Sequence, residues 1–363
     1  LELVKLTEGH RALDLDHVVR RLYMSRTSLS LDSSAVTSVL NDFVPLARQG
    51  LVDRSLASSA RWNQDVGGLF QAKEELVKTI LRPIRYKRIY DNLPTRLPRG
   101  ILLYGPPGVG KSFLIPPLAK ECGLALVTCH GPELLDRYIG ASEAKVRQLF
   151  ARAQAAAPSL LFLDEFDALA PRRGTDTTGV TDRVVNQLLT FLDGVESMAD
   201  DRDRPVYVVA ASARPERIDP ALLRPGRLEK HVYIGYAETR QEWSDVLEKA
   251  ACSGYALEDE ALAAIRNGEL FEKTADAMSL SPADLCGALA SAHLKAVHEA
   301  IRMGASLRGQ MELRLSLSHL NNALGETRPS LAASDRKALE GNYDRFRSGG
   351  SHTHSAALKT SLR

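Results

Sequence analysis

The chain has 363 residues, 47 basic against 45 acidic side chains, a net charge of +2 and an apolar content of 44%. That length allows two or three domains, each with its own core, and the balanced charge gives no support for wholesale nucleic-acid binding or an acidic solvating tail. No apolar run approaches the ~18–20 residues needed to span a bilayer. The four cysteines, Cys122, Cys129, Cys252 and Cys286, are scattered without a C-x-x-C pair, which points to free thiols in a reducing compartment. No signal-peptide pattern opens the sequence, and its first residue, Leu1, implies a piece of a longer protein.

Residues 1–60 have helical periodicity in LDLDHVVRRLYM (13–24) and SSAVTSVLNDFVPLAR (33–48), the second disturbed by Pro45. From Trp62 the character changes. Apolar runs suited to buried strands occur at 101–104, 124–128, 160–163 and 206–211, with helical stretches at 71–81, 112–121, 142–157 and 181–193. Strands alternating with helices predict an α/β unit, a parallel sheet covered on both faces. After about residue 238 strands are expected to stop, and 240–251, 257–267, 282–302 and 316–325 read as a small all-α domain. The Gly/Ser/Thr-rich end is expected to be disordered, with His352 and His354 there more simply a tail than a metal site.

The run Gly105, Pro106, Pro107, Gly108, Val109, Gly110, Lys111, Ser112, ahead of Phe113, fits G-x-x-x-x-G-K-[ST] at every fixed position. This pattern lets backbone bend around a phosphate chain, brings a lysine to the β- and γ-phosphates and sets a hydroxyl on the metal ion. A short apolar run precedes it, and a helix is expected to follow, turning N–H groups toward the anion. The alternative is a plain Gly/Pro turn. Residues 160–163 deliver Asp164 and Glu165 to a strand end, where open α/β sheets bind ligands. Asp164 suits a magnesium ion held through its water shell, and Glu165 suits polarising an attacking water. Downstream, IDPALLRPGR (218–227) holds Arg224 and Arg227 in a Pro/Gly-rich turn. Such arginines are either solvated or supplied across a subunit boundary to a γ-phosphate.

The block from about 62 to 330 resembles the AAA ATPases of the subgroup with valosin-containing protein and NSF. DVGGL (65–69), GPPGVGKS, GPELLDRYIGASE (131–143), LDEFD (163–167), APRRG (170–174) and IDPALLRPGR carry the likeness. YIGASE, DEFDALAPRRG and TTGVTDRVVNQLLTFLDGVE (177–196) resemble the second ATPase domain of the peroxisome-biogenesis branch. The resemblance implies a P-loop AAA+ fold, with a large domain over 61–238, a small lid and C-terminal helix over 239–347, and a tail over 348–363. Residues 1–60 would be the end of a preceding ATPase domain's lid plus a connector. It implies ATP and Mg2+ as cofactors, Val66 and Gly67 in the adenine pocket, and Tyr138, Ile139 and Gly140 as a substrate-gripping pore loop. Arg172 and Arg173 would lie in a second pore loop or a solvated turn. The implied partners are peroxisome biogenesis factor 6 in a hetero-hexamer, a peroxisomal membrane anchor and a ubiquitinated import receptor. The implied location is the cytoplasm and the cytosolic face of the peroxisomal membrane.

Three departures from the family pattern bear on activity. Pro116 and Pro117 fall in the helix after the phosphate loop, where proline removes hydrogen bonds, so this helix is expected to kink or shorten. The usual γ-phosphate-sensing polar residue aligns with Ala213, beside Ser212. The lid's S-G-A-D turn reads Ser281, Pro282, Ala283, Asp284. These departures leave open a nucleotide-binding scaffold with weak hydrolysis, and a cytosolic unfoldase is a third reading.

Overall fold

The computed structural model describes residues 61–91, 97–135, 140–174, 180–197, 204–272, 280–302 and 314–348. The expectations for residues 1–60, for Tyr138 and Ile139 and for the tail lie outside them.

Strands β1 (Gly100–Tyr104), β2 (Ala125–His130), β3 (Ser159–Asp164), β4 (Val206–Ser212) and β5 (Lys230–Tyr233) form one sheet in the order β2-β3-β4-β1-β5. Every pairing in it is parallel. Four of these strands fall on the apolar runs of the sequence: β1, β3 and β4 are buried on both faces and have no polar side to alternate with, whereas β2, at the sheet edge, buries only Val127. The fifth was not anticipated: KHVY is four residues long with only Val232 buried.

Strand parity divides the core in two. Ile101, Leu103, Leu160, Phe162, Val209 and Ala211 pack on one face, and Leu102, Tyr104, Leu161, Leu163, Val208 and Ala210 on the other, as the two-residue period dictates. The first face is covered by α1 (Phe70–Leu76), which runs on through a π-helical stretch (Val77–Leu81), and by α2 (Ile115–Cys122). The second is covered by α3 (Ala141–Ala155) and α4 (Val180–Ser197), joined by the stacked rings of Phe150 and Phe191 at 4.7 Å. Each fully buried leucine here contributes roughly 2–3 kcal/mol.

The proline pair shortens α2 rather than breaking it. Leu114 N–H bonds the Gly110 carbonyl at 3.1 Å and Leu118 N–H bonds the Leu114 carbonyl at 3.3 Å. Between them, Pro116 and Pro117 have no N–H to offer the carbonyls of Ser112 and Phe113. The regular helix therefore begins at Ile115, which places both prolines in its first turn, where amide donors are dispensable.

The small domain is built from α5 (Arg240–Cys252), α6 (Asp259–Asn267), α7 (Pro282–Arg302) and α8 (Leu317–Glu326) around Trp243, Leu247, Ile265, Leu285 and Leu289. Contrary to the sequence expectation, strands do not stop at 238. Two-residue β6 (Ala256–Leu257) and β7 (Arg314–Leu315) pair in parallel here. A final helix, α9 (Ala333–Arg347), returns to the large sheet. Its Tyr343 is 1% exposed within the sheet's second core, and the Arg347 guanidinium lies 3.9 Å over the Tyr233 ring. Among the described residues no helix is long and apolar enough to cross a membrane.

Candidate nucleotide site

The phosphate loop leaves the carboxyl end of β1, and its backbone admits few alternatives. A Cβ at Gly105 (φ +155) would lie 1.8 Å from the Ile234 carbonyl oxygen, and Gly108 (φ +79) occupies the left-handed region, which side chains disfavour. Lys111 folds into the loop and donates to the carbonyls of Gly105 at 2.8 Å and Pro106 at 2.7 Å. Burial lowers its pKa to about 8, against the opposing pull of Asp164 and Asp167. Val109 is buried beneath the loop and Phe113 beside it is exposed.

Ser112 Oγ donates to Asp164 Oδ2 at 2.5 Å, joining the loop to the end of β3 across 52 residues of sequence. The other Asp164 oxygen accepts the Glu165 N–H at 2.9 Å. Glu165 itself is exposed and holds φ +49, a left-handed conformation that costs of order 1–3 kcal/mol in a non-glycine residue. It persists because the next turn is anchored by fully buried Phe166 and Leu169 and by the Ala168 N–H bond to the Glu165 carbonyl. The adjacent hydroxyl and carboxylate of Ser112 and Asp164 fit a magnesium ion, which takes hard oxygen ligands and fills its remaining positions from phosphate and water. Among the described residues no group of three or more His, Cys, Asp or Glu could hold a metal.

Val66 and Gly67 lie where the two domains meet. The Val66 carbonyl accepts from Lys73 Nζ at 2.5 Å and from Lys249 Nζ of α5 at 3.1 Å, and the Gly68 N–H donates to Asp245 Oδ2 at 2.6 Å. Burial, then Lys249, lowers the Lys73 pKa to about 8. These lysines were not singled out from the sequence, since nothing in their spacing announces a shared carbonyl. The Ser281–Asp284 turn also reaches the site: the Ala283 N–H donates to the Gly108 carbonyl at 3.1 Å, and a Cβ on Gly108 would lie 3.0 Å from Ser281 Oγ.

Other candidates are placed elsewhere. Arg227 forks onto Asp193 of α4 (Nε–Oδ1 2.6 Å, Nη2–Oδ2 2.9 Å) and donates to the Ala221 carbonyl at 2.6 Å. Arg224, three residues earlier, is exposed. Since Lys230 pairs with Ile101 in parallel register, this segment enters at the amino end of β1, roughly 15 Å from the phosphate loop at about 3.3 Å per residue. Arg173 is tied to buried Asp219 at 2.9 Å. Gly140, at φ +84, is the N-cap of α3.

The family model described as "ATPase family associated with various cellular activities (AAA)" matches residues 101–236. The chain is similar to Peroxisomal ATPase PEX1 of Saccharomyces cerevisiae, 36% identical over 94% of this chain and 37% of that protein. Proteins of the same name from Cricetulus griseus and Homo sapiens are each 48% identical over 64% of this chain and 18% of their own length. The chain thus spans well under half the length of these relatives. With its phosphate loop and Asp164 joined at the carboxyl edge of a parallel sheet, the chain carries an AAA ATPase domain over residues 101–236.

Proposed function

We propose that this chain is the ATP-hydrolysing part of a peroxisomal protein translocase, in which residues 61–238 bind and hydrolyse Mg-ATP and 239–347 form the lid. The observation that carries the ATPase reading is the Ser112–Asp164 hydrogen bond, which sets a metal-binding hydroxyl and carboxylate beside Lys111. Lys111 and the loop amides from Gly105 to Phe113 hold the phosphates, with Val66 and Gly67 beside the base. When bound, magnesium neutralises charge on the phosphate oxygens. Glu165 accepts a proton from water as that water's oxygen bonds to the γ-phosphorus. The bond from this phosphorus to the β–γ bridging oxygen breaks, releasing ADP and inorganic phosphate. Arg224 and Arg227 act on the nucleotide of the neighbouring subunit, which accords with their place at the far end of β1.

The similarity to peroxisomal ATPases supports the setting. There the chain would form a hetero-hexamer with peroxisome biogenesis factor 6, docked through a membrane anchor on the cytosolic face of the peroxisome. Tyr138, Ile139 and Gly140 would grip the ubiquitinated import receptor in the central pore and pull it from the membrane. Glu165→Gln in the assembled protein is expected to bind ATP normally and lose hydrolysis by about 10²–10⁴-fold, measured as phosphate release. Unchanged release would sink the assignment.

The late start of α2 at Ile115 and the apolar side chain of Ala213 favour one competing reading, a nucleotide-binding scaffold. Steady-state turnover above the Glu165→Gln blank dismisses it.

A further inference from the structure

Ser212 closes β4 at the carboxyl edge of the sheet and is 1% exposed. Its Oγ donates to Asp167 Oδ1 at 2.6 Å and accepts the Arg214 N–H at 2.9 Å, so its single proton is committed to the carboxylate. Strand parity explains the direction: Val208 and Ala210 pack in the core that also holds Phe166 and Leu169, and Ser212 continues their side of the strand. Asp167 stands two residues past Glu165, in the four-residue helix Phe166–Leu169 that Glu165 caps. Asp167 also acts on the Lys111 ammonium, whose protonated form it favours. Ala213, where a phosphate-sensing side chain is expected, offers only its carbonyl, and that accepts Tyr343 OH at 2.8 Å.

We propose that Ser212 is a positioning residue for hydrolysis, acting through Asp167 to hold the turn that presents Glu165. The inference rests on the ATPase reading above. A single four-residue helical turn has almost no stability of its own, and Glu165 occupies a backbone region it would leave if the turn relaxed. A charge-assisted hydrogen bond from a buried strand end supplies the missing constraint. It does so without touching the nucleotide, so its loss should misplace the attacking water while leaving the phosphate cradle intact.

The test compares wild type, Ser212→Ala, Ser212→Thr and the Glu165→Gln blank in the full-length protein in its native assembly. Steady-state phosphate release, equilibrium binding of a fluorescent ATP analogue and amide exchange over 165–168 are read together. Ser212→Ala should lower kcat about tenfold or more, with KM and analogue affinity within twofold of wild type. It should also speed exchange over 165–168, and Ser212→Thr should restore at least half of kcat. Ser212→Ala turning over like wild type, losing affinity in step with kcat, or resisting rescue by threonine overturns the positioning role. Wild type no faster than the Glu165→Gln blank overturns the ATPase reading and this inference with it.

Discussion

The two ends of β1 are built in contrasting ways. At the carboxyl end, Lys111, Ser112, Asp164 and Glu165 are drawn together by hydrogen bonds between the phosphate loop and β3. At the amino end, Arg227 is clamped to Asp193 and Arg224 stands exposed beside it. A strand is a rigid spacer, so one copy of the chain cannot bring the arginines to its own phosphates. At one end the groups turn inward on each other; at the other Arg227 is held within the chain and only Arg224 is open to a neighbour, which is what the proposed action across a subunit boundary requires.

Three measurements break or sharpen that division. Arg224→Ala should lower turnover about a thousandfold, the scale of an arginine supplied to a γ-phosphate, while ATP affinity stays within twofold. The loss falls on the neighbour's nucleotide, so in a Lys111→Ala background, where the remaining phosphate release of the proposed hetero-hexamer is the partner's, adding Arg224→Ala should lower that release further. Equal loss of affinity would merge the two ends.

A smaller effect concerns Lys111, whose free-state pKa of about 8 reflects burial. A triphosphate needs the ammonium form, so binding takes up a proton above that pH. Affinity should be flat below about pH 7, fall as pH rises through about 8 and be about tenfold weaker at pH 9 than at pH 7. A Lys111→Arg variant, charged throughout, should flatten the profile in the same fluorescence titration.

The smallest is Tyr343→Phe, which removes one hydroxyl from the Ala213 carbonyl and should cost about 1 kcal/mol, roughly 2–4 °C in a thermal melt. Tyr343→Ala, which empties an aromatic site in the core, should cost about 3–5 kcal/mol. Equal, negligible shifts would detach α9 from the carboxyl end of the sheet.

The sheet was legible where burial on both faces forces continuous apolar runs, as in LLFL of β3 and VVAA of β4. It was illegible in KHVY, an edge strand whose half-exposed residues alternate like many surface segments. Proline chemistry correctly foretold a shorter α2. Lys111, Ser112, Asp164 and Glu165 were readable because each sits in a fixed local pattern. The Ser212–Asp167 bond spans 45 residues and Tyr343–Ala213 spans 130, and pairings of that range leave no periodicity in a single sequence. The polar run of α9, KALEGNYDRFR, gave no warning that its tyrosine enters a core.

The turn from Ser281 to Asp284 has a mechanical meaning. It bonds the phosphate loop at Gly108, while Asp284 also accepts from Ser330 Oγ at 3.2 Å, just ahead of α9. Helix α9 in turn is fastened to the end of β4 through Tyr343. The small helical unit is thus fastened like a bracket at two places, to the phosphate loop at Gly108 and, by way of Ser330 and α9, to the end of β4. Tilting α7 against the sheet would have to strain one of these attachments, so a displacement of the phosphate loop at Gly108 bears directly on the start of α7.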